Sequence, residues 1–256
     1  LGRVRILLSN DDGVQAPGIN SLAAGFSGDE VWVVAPDREQ SASSHSISLH
    51  RPLRITEVGP RRYAVDGTPT DAVYMAINFL MRSAPPDLVL SGINHGPNLG
   101  NDVLYSGTVA AAMEGALLRC PAIAVSLASP PPHDFSHAVP FVVALAHQVA
   151  ARPPAAPMLL NVNIPAGPVK GYRFARLGRR TYGNTVIENR DPRGRKYYWI
   201  GGEEAFHEDL PGSDCNTVLD EGLASITPIH LDVTNDGLLS ELRSFTVPGY
   251  LKEPAL

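Results

Sequence analysis

Five short apolar runs, each ending in a polar loop and spaced by stretches with helical character, constrain this chain more than any other feature. They fall at residues 4–9, 31–35, 87–91, 122–127 and 158–164. The first, Val4-Arg5-Ile6-Leu7-Leu8-Ser9, is continuous enough for a strand buried on both faces, and the others repeat the pattern. Strands alternating with helices predict parallel strands joined by crossover helices. The helix starts carry their own chemistry. Thr68 can cap, Pro69 suits the first helical position and Asp71 complements the N-terminal dipole. Val73, Ala76, Ile77 and Leu80 then share one apolar face. Ser106 is the expected cap of a second helix whose many small residues let it lie close to a sheet. A third is expected over 134–152, with Pro140 tolerable only in its first turn.

After residue 165 the rhythm changes. Short aromatic runs at 172–174 and 197–200 stand between Gly-, Pro- and charge-rich segments and read as hairpins or arms, followed by a short helix over 238–245. The expectation is an α/β protein: a doubly wound, mostly parallel sheet in a three-layer αβα core over 1–165, with a C-terminal β-rich extension over 166–256. Arg176, Arg179, Arg180, Arg190, Arg193, Arg195 and Lys196 crowd this extension and are read as a solvated surface or a subunit contact.

Composition narrows the partners. Lys and Arg number 21 against 26 Asp and Glu, a net charge of −5, which disfavours a nucleic-acid groove. The 18% charged and 44% hydrophobic fractions describe a globular chain. No run reaches the ~18 apolar residues of a membrane span. Cys120 and Cys215 form neither a zinc ribbon nor a disulfide framework, so a cytoplasmic location is expected.

An open parallel sheet binds ligands outside the carboxyl ends of its strands. The first strand ends in Asn10-Asp11-Asp12-Gly13, which is either an ordinary Asp-Gly turn or a pair of carboxylates for a hard cation such as Mg²⁺ or Mn²⁺. The second opens into a loop rich in Ser, from Asp37 to Ser46. The third opens into Ser91-Gly92-Ile93-Asn94-His95-Gly96-Pro97-Asn98, where Asn94 and Asn98 offer oxygens to a cation or N–H groups to an anion. Ser106-Gly107-Thr108 is a helix cap that can also hold phosphate on free N–H groups. Dinucleotide and Walker A motifs are absent, as are His-Glu-x-x-His and Gly-x-Ser-x-Gly.

Taken together, Ser9-Asn10-Asp11-Asp12-Gly13, Ala35-Pro36-Asp37-Arg38-Glu39-Gln40-Ser41-Ala42, the Ser91–Asn98 segment and Ser106-Gly107-Thr108-Val109 resemble the SurE family of metal-dependent 5′-nucleotidases. Gly67-Thr68-Pro69-Thr70-Asp71, Asn161-Val162-Asn163-Ile164-Pro165, Tyr197-Tyr198-Trp199 and Ser225-Ile226-Thr227-Pro228 extend the likeness over nearly the whole chain. At one position it departs: Ser44 stands where the family usually has Gly. The resemblance implies a cytoplasmic phosphatase acting on nucleoside 5′-monophosphates, with 3′-monophosphates and polyphosphate as further substrates, assembled as a homodimer or homotetramer through the C-terminal extension. By position it makes Asp11, Asp12, Ser41 and Asn94 ligands of one divalent metal ion per subunit, Mg²⁺ or Mn²⁺. Asp11 and Asp12 become the catalytic pair, and Asn94, Asn98, Ser106, Gly107 and Thr108 the substrate contacts. A metal-activated water is the expected nucleophile, with the identity of the general base left open. The rival readings are a non-catalytic nucleotide sensor and a nucleotide-sugar transferase; the chain lacks an effector segment for the first and a second crossover domain for the second.

Overall fold

Each expected run becomes a strand because its alternate side chains enter two different cores. In the first strand, Ile6 and Leu8 face one core cluster and Leu7 the other; in a later one, Ile123 and Val125 face the first while Ala122 and Ala124 face the second. A strand buried on both faces favours apolar side chains on either side, which is why these segments read as mainly apolar runs.

The computed structural model describes residues 2–152, 157–183, 186–200 and 205–249. Its strands are β1 (Arg5–Ser9), β2 (Glu30–Pro36), β3 (Ile55–Gly59), β4 (Arg62–Val65), β5 (Leu88–His95), β6 (Ala122–Ala128), β7 (Leu159–Pro165), β8 (Tyr172–Phe174), β9 (Arg180–Thr181), β10 (Val186–Arg190), β11 (Lys196–Ile200), β12 (Phe206–His207) and β13 (Ala224–Pro228). The helices are α1 (Pro17–Gly25), α2 (Pro69–Met75), α3 (Gly107–Leu117), α4 (Ala138–Ala151) and α5 (Asp236–Leu242). A nine-stranded sheet runs β3-β4-β2-β1-β5-β6-β7-β13-β8. Its centre is parallel, from β4 through β7, while β3 and β13 are antiparallel to their neighbours β4 and β7. Residues of α1 and α4 join one core cluster and residues of α2 and α3 the other, giving the three-layer doubly wound architecture.

The chain first winds from β1 to β2 on one side, then returns through β4 to β5 on the other. The reversal opens a crevice at the carboxyl ends of β1 and β5, the usual ligand position in such sheets. The expected caps are in place: Thr68 and Asp71 form a reciprocal capping box, and Ser106 Oγ accepts the Val109 N–H at 3.1 Å. Pro140 is the third residue of α4, inside its first turn. Small residues do bring α3 against the sheet: a Cβ on Gly115 would stand 2.8 Å from Val89.

Several boundaries move. The third run does not stop at Ser91 but continues as β5 to His95, so Asn94 and His95 belong to a strand; the pairing with β6 slips between Ser91 and Asn94. Gly92, at φ +131°, makes that slip possible, since a Cβ there would strike the Val125 carbonyl oxygen. The β3–β4 hairpin carried no apolar run to announce it. Beyond residue 165, β8 and β13 join the core sheet, whereas β10 and β11 pair only with each other. The terminal helix spans Asp236–Leu242, capped by Asn235, and buries none of its residues.

Candidate active site

The crevice is built from three strand ends and one helix start. At the end of β1, Asn10 is buried and spends its amide on the turn: Nδ2 donates to the Gly13 carbonyl at 3.0 Å and Oδ1 accepts the Gly13 N–H at 3.1 Å. Gly13 has φ +102°, a region that penalises any side chain, and the Arg38 backbone would lie 3.3 Å from a Cβ. The turn therefore presents Asp11 and Asp12 side by side.

Asp11 is buried and accepts a short hydrogen bond from the Thr108 hydroxyl, with the Thr108 backbone adding a second contact. Burial nevertheless raises its pKa above the ordinary carboxylate value. Asp12 is pushed up to about 6, first by burial and then by the charge of Asp11, against the opposing pull of His95. His95 Nδ1 lies 2.9 Å from Asp12 Oδ1. Both carboxylates are thus held above the ordinary range, a setting in which nearby positive charge favours the ionised pair.

The loop after β2 is tied to this turn by Gln40 N–H donating to the Asp11 carbonyl at 2.8 Å. Ser41, at the mouth, donates its hydroxyl to Glu39 Oε1 at 2.6 Å, which leaves its oxygen lone pairs available. Ser44 has φ +53°, a left-handed conformation that glycine adopts more readily than serine. Its N–H and hydroxyl bond the Tyr105 and Leu104 carbonyls at 3.2 and 2.8 Å, which offsets the strain. Further along, His45 Nε2 sits 2.9 Å from Glu114 Oε2 on α3.

On β5, Asn94 Nδ2 donates to the Gly96 carbonyl at 2.9 Å, leaving Oδ1 as its free donor atom for a cation. Asn98 is held by its main chain: its N–H donates to Asn163 Oδ1 at 2.8 Å, and its carbonyl accepts from Asn163 Nδ2 at 2.9 Å and Asn161 Nδ2 at 2.8 Å. Its own Nδ2 donates to Ser126 Oγ at 2.7 Å. Buried Asp214, from the C-terminal part of the chain, accepts the Gly100 N–H at 2.9 Å and closes the far side of the loop.

Asp11, Asp12, Ser41, Asn94, Asn98 and Ser106 all line one cavity of about 540 Å³. Gly107 and Thr108 stand behind Asp11, off the lining, and the Thr108 side chain supports that carboxylate instead of facing the cavity. Among the described residues no group of three or more His, Cys, Asp or Glu side chains is arranged to hold a metal ion. The expected ligand set has only two carboxylates, with hydroxyl and amide oxygens completing it, and such all-oxygen donors suit a hard divalent cation. Two further observations fit. Ser43 Oγ is buried without a partner, and the point where a Cβ on Gly107 would sit is 2.8 Å from that oxygen and 2.9 Å from Asp11 Oδ2. Only glycine leaves this space open beside the carboxylate.

Among the further residues that line the cavity are five polar or aromatic ones that the sequence did not assign to the site: His95, Asp102, Tyr105, Arg180 and Tyr182. Arg180 corrects the reading of the basic cluster. The other six basic residues are exposed, but the Arg180 side chain is mostly buried, paired to Asp102 and turned into the cavity.

A doubly wound α/β fold with paired carboxylates and further polar side chains at its switch point defines the general class: a protein that handles its ligand in a crevice beside two acidic side chains. More narrowly, the chain belongs to the SurE family, whose model, survival protein SurE, matches residues 6–184. It is 75% identical over 253 residues to the 5′-nucleotidase SurE of Anaeromyxobacter dehalogenans strain 2CP-1, covering 98% of this chain and 100% of the relative. The 5′-nucleotidase SurE of Myxococcus xanthus is 56% identical, over 96% of this chain and 95% of its own. Among solved structures, the SurE protein of Aquifex aeolicus superposes with a TM-score of 0.81 at 39% identity, over 93% of this chain and 98% of that one. With such relatives along its full length, the chain is an enzyme.

Proposed function

We propose that the protein is a divalent-metal-dependent phosphatase that releases inorganic phosphate from nucleoside 5′-monophosphates, with 3′-monophosphates and polyphosphate as further substrates. One observation carries the reading: Asp11, Asp12, Ser41 and Asn94, from three separate strand ends, meet in one cavity with Asn98 and the Ser106 cap. The relatives' name, 5′-nucleotidase, supports the nucleotide-hydrolysing part of this reading.

In this reading Asp11, Asp12, Ser41 and Asn94 hold one Mg²⁺ or Mn²⁺ per subunit. When bound, that ion supplies positive charge against the phosphate and acidifies a water at neutral pH. The protein's own groups do the rest. Thr108 fixes Asp11 Oδ1 and His95 steadies Asp12 Oδ1, so each carboxylate offers its second oxygen in a set direction. Asn98, held through its main-chain N–H and carbonyl, and Ser106, the α3 cap residue on the cavity wall, stabilise charge on the phosphate oxygens, an electrostatic contribution of about 3 kcal/mol per donor. Buried cysteines without a disulfide accord with a cytoplasmic setting. The β10–β11 hairpin, which exposes Tyr197, Tyr198, Trp199 and Ile200, and the unpacked α5 are the surfaces proposed to join subunits as a homodimer or homotetramer.

The test is phosphate release from a nucleotide panel after EDTA treatment, with Mn²⁺ or Mg²⁺ added back. Hydrolysis should vanish with EDTA and return with the cation, and Asp12→Asn should abolish it while the fold persists. Hydrolysis that ignores EDTA removes the metal from the mechanism. A nucleotide that raises the melting temperature without phosphate release would make the protein a sensor.

A further inference from the structure

The cavity is larger than phosphate chemistry requires. A phosphoryl group fills the space of about two or three waters at ~30 Å³ each, against about 540 Å³ available. Two tyrosines stand on the remaining wall. Tyr105 immediately precedes the Ser106 cap, and the residue is 66% exposed. Its carbonyl accepts the Ser44 N–H, which ties its backbone to the loop bearing Ser41. Tyr182 follows β9 and is 47% exposed. Its hydroxyl donates to Asp102 Oδ2 at 2.6 Å, and the Arg180 guanidinium, paired with the same carboxylate, lies 5.4 Å from its ring centroid. Tyr182 is thus a ring fixed at its oxygen and backed by a cation.

We propose that Tyr105 and Tyr182 form a nucleobase subsite, in which the base stacks on aromatic faces while the phosphate lies toward Asp11, Asp12 and Ser106, with the Asp102–Arg180 pair as the device that positions Tyr182. The inference rests on the nucleotidase reading above. Arg180 is the one Lys or Arg on the described lining, and Asp102 occupies its charge, so this end of the cavity suits a flat neutral group better than a second phosphate. Stacking reads the π face that every base has, not its hydrogen-bonding edges. Removing one such platform weakens binding roughly five- to a hundredfold. A sugar phosphate without a base has nothing to stack and gains nothing from either ring.

The experiment compares kcat/KM for AMP with kcat/KM for ribose 5-phosphate on the Mn²⁺-loaded full chain. Their ratio should fall about tenfold in Tyr105→Ala and in Tyr182→Ala, and return close to wild type in Tyr105→Phe, which keeps the ring. Adenosine, which has no phosphate, should compete against ribose 5-phosphate in the wild type and about tenfold more weakly in Tyr105→Ala. If Tyr182→Ala does not fold, the exposed Tyr105 carries the test by itself. Equal losses on both substrates, or no competition by adenosine, would overturn the subsite while leaving the phosphatase reading intact. Failure of the loaded wild type to release phosphate from AMP overturns both.

Discussion

Asn163→Ala should be far more damaging than Asn161→Ala, although both residues lie on β7 and both donate to the same carbonyl. Asn163 makes two bonds to the Asn98 peptide, one to its N–H at 2.8 Å and one to its carbonyl at 2.9 Å, whereas Asn161 makes only the carbonyl bond at 2.8 Å. All three residues are buried. Removing Asn163 orphans a buried N–H, at about 1–3 kcal/mol, and loses a second bond worth about 1 kcal/mol, for a total of about 2–4 kcal/mol. Removing Asn161 leaves the carbonyl its Asn163 partner and costs about 1 kcal/mol. With a urea m-value of about 3 kcal/mol/M, the midpoints should drop by about 1 M and 0.3 M respectively, at fixed protein concentration and unchanged m. Asn98 faces the site, and a displacement of about 1 Å can cost on the order of a hundredfold in rate, so phosphate release should fall at least tenfold in Asn163→Ala and only slightly in Asn161→Ala. Equal midpoint shifts, or full activity in Asn163→Ala, would refute the clamp.

Three other perturbations follow from single contacts. Gly18→Ala in α1 would gain about 1 kcal/mol of helix propensity at an open site, but here the new Cβ would collide with the Ile93 carbonyl oxygen on β5, so thermal unfolding should show a net loss of about 1–3 kcal/mol; stabilisation would mean that α1 does not approach β5 this closely. Thr68→Ala removes the hydroxyl that accepts the Asp71 N–H at 3.0 Å and donates to the Ser46 carbonyl at 2.7 Å, and should cost about 1–2 kcal/mol, read by urea unfolding, with Thr68→Ser recovering most of it. In EDTA-treated protein, Asp12 stays protonated up to about 6 when folded against 3.8 for the free side chain, so the folded state binds more protons over this window and its stability falls as pH rises from about 4 to about 6. Melting curves of wild type and Asp12→Asn across that range should diverge by on the order of 2 kcal/mol, and saturating Mn²⁺, which requires the ionised carboxylate, should remove the wild-type loss; parallel curves would place Asp12 in an ordinary solvated setting.

Much of the scaffold was legible because burial on both faces imposes a simple pattern. The strands that became β1, β2, β6 and β7 were read within a residue or two, since a strand with a core on each side is mostly apolar, even where β7 keeps the buried Asn161 and Asn163. The caps at Thr68 and Ser106 were equally plain, because a helix start requires particular oxygens at fixed spacing. The end of β5 was misplaced: Asn94 and His95 are polar because they face the crevice, and polarity in sequence looks the same whether it marks a loop or a site. The β3–β4 hairpin was missed for the opposite reason, since an edge exposed on one face keeps no continuous apolar signal.

The sequence by itself determined the doubly wound core, the carboxylate pair Asp11-Asp12 and the chain order of the candidate ligands, because backbone periodicity and strand-end chemistry act over a few neighbouring residues. Tertiary structure alone decided what each polar group is free to do. Asn10, adjacent to the carboxylates, is consumed by its own turn, while Asn163, 65 residues beyond Asn98, holds that residue's peptide on both sides. The same distant packing selects Arg180 from a cluster of basic residues and sets it with Tyr182 against Asp102, about 80 residues earlier. Such pairings depend on which strands become neighbours in the sheet, and spacing along the chain carries no record of that choice.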